Sequence, residues 1–402
     1  MKVDWPPSIQ GVFALKEINK QSVFKENMVA HVLTELHILR TLGSSHPFII
    51  GLHRQFQTKN TLNFIMEYVP GGTLLSHLTV WDGPFPEEMV QFYGSEILLA
   101  IEALHEANVI HRDLKLENIM LDVDGHIRLI DFGLSHQLKP PLFRVTSFSG
   151  SKVSLSPEVF ASNNESQGHG FSVDWWAFGV VLYQMATQEL PFWADDLKEF
   201  IKIVLDGPAV QFPEIVQLSL ELRELIAGLL DRNIPTRLGC TVVSGVILSQ
   251  PEQVKGHPFF RGIVWDDMTS KTKRPPIIPK DVTKGTETGM LQVDIYRCPS
   301  LSKAEADTFQ EFENVQATPS FHITVSKPQI FSAALLVTYT EYTFTLFASA
   351  ICKSPISVRR RYSQVLDLYN EIVAQAAPSL VYFHPIVAFF HHWPHKRIEK
   401  SI

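Results

Sequence analysis

The chain has 402 residues, which as a soft prior is two or three domains, and a formal net charge of −7 with 19% charged residues. That balance provides no broad basic surface, so nucleic acid is not expected as a partner. Cys240, Cys298 and Cys352 lie far apart with no paired metal-ligand spacing, which suits a reducing compartment better than a disulfide framework. Residues 1–10 hold no apolar signal core. The apolar run at 379–393 is broken by His384, Pro385, His391 and His392 and is too short and polar to span a bilayer. A soluble cytosolic protein is the default expectation.

In chain order, residues 11–20 read as a strand, with Val12, Ala14 and Leu15 around Lys16. Residues 28–42 carry Val29, Val32, Leu33, Leu36, Leu39 and Leu42 at helical spacing. Residues 48–69 read as two strands broken near Thr58-Lys59-Asn60, and Pro70-Gly71-Gly72 as a turn. A long amphipathic helix is predicted over 86–107 and a short strand over 127–130. From 172 to 260 the pattern is mostly helical, and 270–289 is rich in Lys, Thr, Pro and Gly, as an extended tail or linker would be. Residues 321–325 and 335–351 are strand-like, and 362–374 read as a helix. Strands first and helices later fit a two-lobed α+β domain.

Two strings in the middle carry chemistry. His111-Arg112-Asp113-Leu114-Lys115-Leu116-Glu117-Asn118 has the form H-R-D-L-x-x-x-N, and Asp131-Phe132-Gly133 follows it. Phosphoryl transfer needs one carboxylate to receive a hydroxyl proton and hard oxygen ligands to hold Mg²⁺ on the phosphates. Asp113 suits the first task, and Asn118 and Asp131 the second. Together the strings resemble the catalytic and metal-binding loops of a protein kinase.

That resemblance implies roles for residues that follow in kinase order. Lys16, in Phe13-Ala14-Leu15-Lys16, would hold the α- and β-phosphates of ATP, with Glu35 as its carboxylate partner. Glu67 and Val69 would bind adenine, with Met66 behind them. Lys115 would neutralise the transferred phosphate, as in Ser/Thr kinases. Asp174, in Asp174-Trp175-Trp176-Ala177-Phe178-Gly179, would cap the catalytic loop. Glu158, in Ser156-Pro157-Glu158, would form a buried ion pair with Arg237. The finer resemblance is to the branch containing the cyclic-AMP-dependent, C-type and ribosomal S6 kinases. It rests on Met66-Glu67-Tyr68-Val69-Pro70-Gly71-Gly72, Gly256-His257-Pro258-Phe259-Phe260 and Pro275-Pro276-Ile277-Ile278-Pro279. Asp307-Thr308-Phe309-Gln310-Glu311-Phe312 resembles the acidic-aromatic stretch of the tail that approaches ATP.

The chain departs from the branch in three places. The family's glycine-rich loop should precede Lys16, and residues 1–13 contain a single glycine, Gly11. In the activation segment, the family's Pro-Glu-Tyr gives way to Lys152-Val153-Ser154, although Ser147 and Ser151 keep hydroxyls. Ser147 is the candidate regulatory phosphosite, with Arg112 as partner for its phosphate and an upstream activating kinase implied. Thr73 and Gln184 stand where relatives place two acids that select arginine, while Glu117 is retained.

Near the C-terminus, Ser357-Val358-Arg359-Arg360-Arg361-Tyr362-Ser363-Gln364 resembles the core motif of the PX domain, a phosphoinositide-binding fold. There Arg361 would hold the 3-phosphate and Tyr362 would pack against inositol. The family's second half finds no counterpart in the His- and Phe-rich end of the chain.

The implied fold class is α+β: a two-lobed protein kinase fold with a truncated N-terminal β lobe, then a small partial α+β PX-like module. The expected domains are a catalytic domain over 1–262, a tail or linker over 263–315 and the partial module over 316–402. ATP and Mg²⁺ are the implied cofactors. Serine- or threonine-bearing proteins are the implied substrates, with a 3-phosphoinositide membrane, on endosomes, as a further partner. The alternative is a kinase-like scaffold, impaired in catalysis, that binds partners or endosomal lipid.

Overall fold

The computed structural model describes residues 13–58, 60–141, 143–161, 168–279, 289–291, 308–310, 312–314, 323–325, 341–346 and 356–361. The chain divides into two compact units, 1–286 with 294–320, and 287–293 with 321–402.

The first unit opens with a sheet. Strand β1 (Phe13–Asn19) runs into helix α1 (Lys20–Lys25), whose start is capped by the Asn19 carboxamide accepting from the amides of Gln21 and Ser22 at 2.8 and 3.3 Å. Helix α2 (Val29–Thr41) buries Val32, Glu35, Leu36, Ile38 and Leu39. Val32, Leu36 and Leu39 belong to the apolar face that the spacing calls for, and Ile38 joins them; Glu35 is the exception, and a buried carboxylate needs a partner. Strands β2 (Leu52–Gln57) and β3 (Thr61–Glu67) follow, and β3 lies between β1 and β2 in antiparallel register, with Lys16 opposite Phe64.

Beyond the turn at 70–72, α3 (Leu74–Val80) and the long α4 (Glu87–Glu106) begin the helical layer. Short strands β4 (Val109–Ile110), β5 (Ile119–Leu121), β6 (Ile127–Leu129) and β7 (His136–Gln137) pair as β4 with β7 and β5 with β6. They fold the two motif strings back toward each other. Helix α5 (Pro157–Ala161) precedes α6 (Ser172–Thr187), which is buried along almost its whole length, with Trp175, Trp176 and Phe178 in the core. A helix apolar all round belongs inside a domain, and α6 is the post on which the helical layer stands. Amphipathic α7 (Leu197–Asp206) packs against α5, and amphipathic α8 (Leu220–Leu229) against α6.

The stretch read as mostly helical is interrupted. Residues Cys240–Val243 and Val246–Ser249 form an antiparallel hairpin, β8 and β9, before α9 (Pro251–Lys255) and α10 (Trp265–Thr269). The Thr-Val-Val and Val-Ile-Leu runs flanking Ser244-Gly245 are β-branched segments around a turn whose two residues both have positive φ, 51° and 79°. That local signal outweighs the helical surroundings.

After α10 the chain runs as an extended strap. Lys271 bonds Asp122 at 3.1 Å, and Ile277 passes so close to Gly125 (φ 94°) that a Cβ there would lie 1.9 Å from its carbonyl oxygen. Only glycine allows this approach. Farther on, Phe309 and Phe312 are fully buried against Phe24 of α1 and Phe64 of β3. Strand β11 (Glu313–Asn314) extends the sheet beside β2 in parallel. Phe309 and Phe312 of the acidic-aromatic stretch thus anchor it in the layer of α1 and the sheet, and its Asp307 and Glu311 lie outside the described residues. Two buried phenylalanines gain far more from that apolar slot than from an open cleft.

In the second unit, β10 (Gly289–Leu291) pairs antiparallel with β12 (Ile323–Val325), and β13 (Glu341–Leu346) with β14 (Ile356–Arg361). The predicted helix over 362–374 lies outside the described residues. No helix among the described residues is long and apolar enough to cross a membrane.

Candidate active site

Lys16 projects from the middle of β1 to Glu35 on α2, Nζ to Oε1, at 2.6 Å, and also donates to Oδ1 of Asp131 at 3.1 Å. The exposures differ: the Glu35 side chain is 3% exposed, Lys16 31% and Asp131 52%. Burial alone would lower the pKa of Lys16, but the charges of Glu35 and Asp131 outweigh it and hold the ammonium above the ordinary lysine value. The Lys16 charge in turn keeps Asp131 below the usual carboxylate range, against its burial. One cation between two carboxylates leaves a local excess of negative charge at the exposed member, Asp131.

Asp113 is held on every side. Its Oδ1 accepts from the Ser151 amide at 2.9 Å, and its Oδ2 from Lys115 Nζ at 2.8 Å and Asn118 Nδ2 at 3.0 Å. Asn118 Nδ2 also donates to the Asp113 carbonyl at 2.8 Å. Lys115 Nζ reaches the Ser151 hydroxyl at 2.6 Å. The motif string therefore folds onto itself, with the activation segment closing the far side. Burial pushes the neighbouring Glu117 carboxyl up.

Beneath this loop, Asp174 at the start of α6 is fully buried and accepts from the amides of His111 (2.8 Å) and Arg112 (2.9 Å). These bonds hold Arg112 at a φ of 64°, a left-handed conformation unfavourable for its side chain; Asp131 is similar at 62°. The Arg112 side chain donates to the Leu134 carbonyl at 2.7 Å, the Ser147 hydroxyl at 2.8 Å and His31 Nε2 at 3.2 Å. Burial draws the pKa of Arg112 down to about 10, which leaves it charged at neutral pH. Glu158 meets Arg237 through two bonds of 2.6 and 3.0 Å.

Every site residue expected in the catalytic region lies in the described structure. Lys16, Glu35 and Asp131 come together, as do Asp113, Lys115, Asn118 and Ser151, then Arg112 with Ser147, and Glu158 with Arg237. Glu67 ends β3, but its side chain turns to the Arg128 guanidinium, with Nε–O distances of 3.1 and 3.2 Å; Val69 is buried. Thr73 caps α3, accepting from the Ser76 amide at 3.1 Å. Residues 1–12, where a glycine-rich loop would precede Lys16, lie outside the described residues, as does Tyr362. Arg361 ends β14.

Two connections escaped the sequence reading. Lys271, Asp122, Arg128 and Glu67 form a chain of ion pairs from the strap to the end of β3. Gln57 Nε2 donates to the carbonyls of Phe309 (2.8 Å) and Phe312 (3.1 Å), while its Oε1 accepts from Lys20 at 2.7 Å. Neither has a motif. The only sequence signal is polar residues placed next to strand apolars.

The donor set fits Mg²⁺ and a polyphosphate. The Asn118 amide nitrogen is engaged by Asp113, so its oxygen is the end left for a cation. Asp131 offers a half-exposed carboxylate, and both are the hard oxygens that Mg²⁺ takes. Among the described residues no cluster of His, Cys, Asp and Glu has the make-up of a separate metal site.

Comparison with known proteins places this geometry. A protein kinase domain model matches residues 8–260. The RAC family serine/threonine-protein kinase homolog of Dictyostelium discoideum is 39% identical over 296 residues, covering 73% of this chain and 62% of the relative. RAC-beta serine/threonine-protein kinase B of Xenopus laevis is 36% identical over 310 residues, 77% of this chain and 60% of the relative. The Homo sapiens RAC-beta serine/threonine-protein kinase is 39% identical over 276 residues, 69% of this chain and 54% of the relative. The matched part of each relative is therefore less than two thirds of its length.

Proposed function

Since the chain belongs to the protein kinase domain family, we propose that it transfers the γ-phosphoryl group of ATP to serine or threonine hydroxyls of proteins. The observation that carries this reading is the set of contacts on Asp113. A carboxylate held by the Ser151 amide, Lys115 and Asn118 is fixed in orientation before any substrate arrives.

In this reading Asp113 orients the substrate hydroxyl and receives its proton. Lys115, already 2.8 Å from Asp113, meets the negative charge of the phosphoryl group in transfer. Lys16, kept protonated by Glu35, holds the α- and β-phosphates, and the strip from Glu67 to Val69 receives adenine. Asn118 and Asp131 hold Mg²⁺, which when bound neutralises charge on the phosphates. The test is phosphotransfer by the purified full chain from Mg-ATP to a Ser/Thr peptide library. Phosphate incorporation that Asp113→Asn abolishes is the expected result. Incorporation equal in Asp113→Asn and wild type would defeat the reading.

Ser147 is proposed as a regulatory phosphosite under an upstream kinase. Its hydroxyl already stands 2.8 Å from Arg112, so a phosphate of roughly −1.5 to −2 charges would meet a guanidinium in place. Mass spectrometry of fully active protein with Ser147 unmodified would count against it.

Arg361 and Tyr362 are proposed to contact a 3-phosphorylated inositol lipid on the cytosolic face of endosomes. The support is the Arg-Arg-Tyr-Ser string, whose Arg360 and Arg361 end a paired strand. Full-chain sedimentation with phosphatidylinositol 3-phosphate vesicles, lost in Arg361→Ala, is the expected outcome. Equal sedimentation of both proteins with phosphatidylinositol 3-phosphate vesicles and with phosphatidylserine vesicles would reduce the contact to non-specific charge.

A further inference from the structure

A line of hydrogen bonds runs from the β8–β9 hairpin to the loop that carries Asp113. Trp175 Nε1 lies 3.2 Å from the Ser249 hydroxyl, which lies 2.7 Å from His105 Nδ1. His105 Nε2 lies 2.9 Å from Asp174 Oδ2, and Asp174 accepts from the amides of His111 and Arg112. Both His105 and Asp174 are buried.

The two ends of the line set the direction of the bonds they make, and a neutral imidazole between them sets the third. An indole N–H only donates, so the Ser249 oxygen accepts from Trp175. At the other end, a carboxylate only accepts, so His105 Nε2 carries a proton toward Asp174. In a neutral imidazole Nδ1 is then an acceptor, and the proton it receives is that of the Ser249 hydroxyl. Each atom in the line thereby has one role.

We infer that Ser249 is a positioning residue for the catalytic loop: its hydroxyl holds His105 in the Nε2–H tautomer, which keeps Asp174 aimed at the amides of His111 and Arg112. Without the hydroxyl, Nδ1 loses its donor and the Nδ1–H tautomer becomes competitive. That tautomer turns a nitrogen lone pair toward the Asp174 carboxylate and weakens its hold on the loop. The loop has little slack, because Arg112 sits in the left-handed region and Asp113 is the next residue.

The hairpin brings Ser249 to this place. Ser249 pairs with Cys240 across β8 and β9, and Gln250 N bonds the Gly239 carbonyl at 2.8 Å. A Cβ at Gly239 would lie 2.7 Å from the Trp175 ring, so glycine lets the hairpin close on the indole. The order Ser–His–Asp also occurs in nucleophilic triads. Here both Asp174 oxygens are spent on backbone amides and the serine oxygen on an indole, so the group orients a loop and attacks nothing.

The kinetic consequence rests on the proposed phosphotransfer; the tautomer does not. The experiment uses the full chain with ¹⁵N-labelled histidine, as wild type, Ser249→Ala and Ser249→Thr. Wild type should show a protonated Nε2 and an unprotonated, hydrogen-bonded Nδ1 at His105. Ser249→Ala should lose that signature, and Ser249→Thr should keep it. The His111 and Arg112 amides should exchange with solvent about tenfold faster in Ser249→Ala, the effect of one weakened hydrogen bond. The kcat should fall by a similar factor with KM for ATP unchanged, and recover in Ser249→Thr. An unchanged His105 signature, or unchanged amide exchange, in Ser249→Ala overturns the inference. If wild type itself shows no turnover, the phosphotransfer reading fails, and the tautomer and exchange data still decide the role of Ser249.

Discussion

Glu158 meets Arg237 at 2.6 Å with side chains 8% and 0% exposed, whereas Lys16 meets Glu35 at the same distance with its own side chain 31% exposed. The partners around them differ more than the distances. Arg237 also donates to the carbonyls of Asp231 (2.7 Å) and Ser172 (3.0 Å), and its guanidinium lies 5.1 Å from the Trp176 ring centroid. Ser172 Oγ donates to Glu158 at 2.8 Å. That pair is enclosed by protein. Lys16 instead divides its donors between Glu35 and an Asp131 that is half in solvent. A charge pair enclosed on every side serves the fold, while one open on a single side keeps a cation and a carboxylate available to a ligand.

The contrast can be broken most severely at Arg237. Replacing it with alanine leaves the Glu158 carboxylate buried without its counter-charge, which costs about 3–5 kcal/mol. Chemical denaturation of Arg237→Ala should show that loss, and a change under about 1 kcal/mol would mean that the pair is not enclosed as described. Lys16→Met should do the reverse. Phosphotransfer should fall by about 10²–10³-fold while the melting temperature moves little. Wild-type turnover in this variant would defeat the assignment of Lys16.

Within the open site, Asp113→Asn and Asp131→Asn should separate. The first should retain Mg-ATP affinity and lose turnover, because it alters the group facing the hydroxyl. The second should weaken Mg-ATP binding itself. Calorimetric affinities that fall equally in both would count against the division of roles.

The enclosed pair also has a pH signature. Burial raises the pKa of Glu158, but Arg237 outweighs it and holds the folded value below the ordinary 4.5. The unfolded chain therefore binds a proton first as pH falls. The stabilisation is fully present above about 4.5 and is lost as pH drops through the folded value. The melting-temperature gap between wild type and Glu158→Gln should be constant above that point and shrink below it. A gap that stays constant into the acid range would exclude a depressed Glu158.

The smallest effect is expected at Arg128. It ties Glu67, at the end of β3, to Asp122 and thence to Lys271, with side chains 16% and 30% exposed for Arg128 and Glu67. Partly exposed pairs are worth about 0.2–1 kcal/mol. Arg128→Ala should therefore raise KM for ATP by roughly twofold to fivefold, with kcat unchanged. A change in kcat alone would place the chain of ion pairs elsewhere in the mechanism.

The sequence by itself determined the local elements and the identity of the chemical groups. Apolar spacing marked α2 and α4, the break near Thr58-Lys59-Asn60 and the turn at 70–72 marked β2 and β3, and the two motif strings named Asp113, Asn118 and Asp131, because each of these signals lies within a few residues. Tertiary structure alone decided the contacts between distant segments that no motif marks. It brought Ser249 to His105 across 144 positions and Gln57 to Phe309 across 252, and it seated Phe309 and Phe312 in the layer of α1 and the sheet. It also folded a hairpin inside a helical stretch. A lone serine or glutamine carries no periodicity, and its partner is chosen by which surfaces the packed core brings within 3 Å. Glu35 is the contrasting case: its place after the Lys16 strand marked it as the lysine's partner, and the fold brings the two within 2.6 Å.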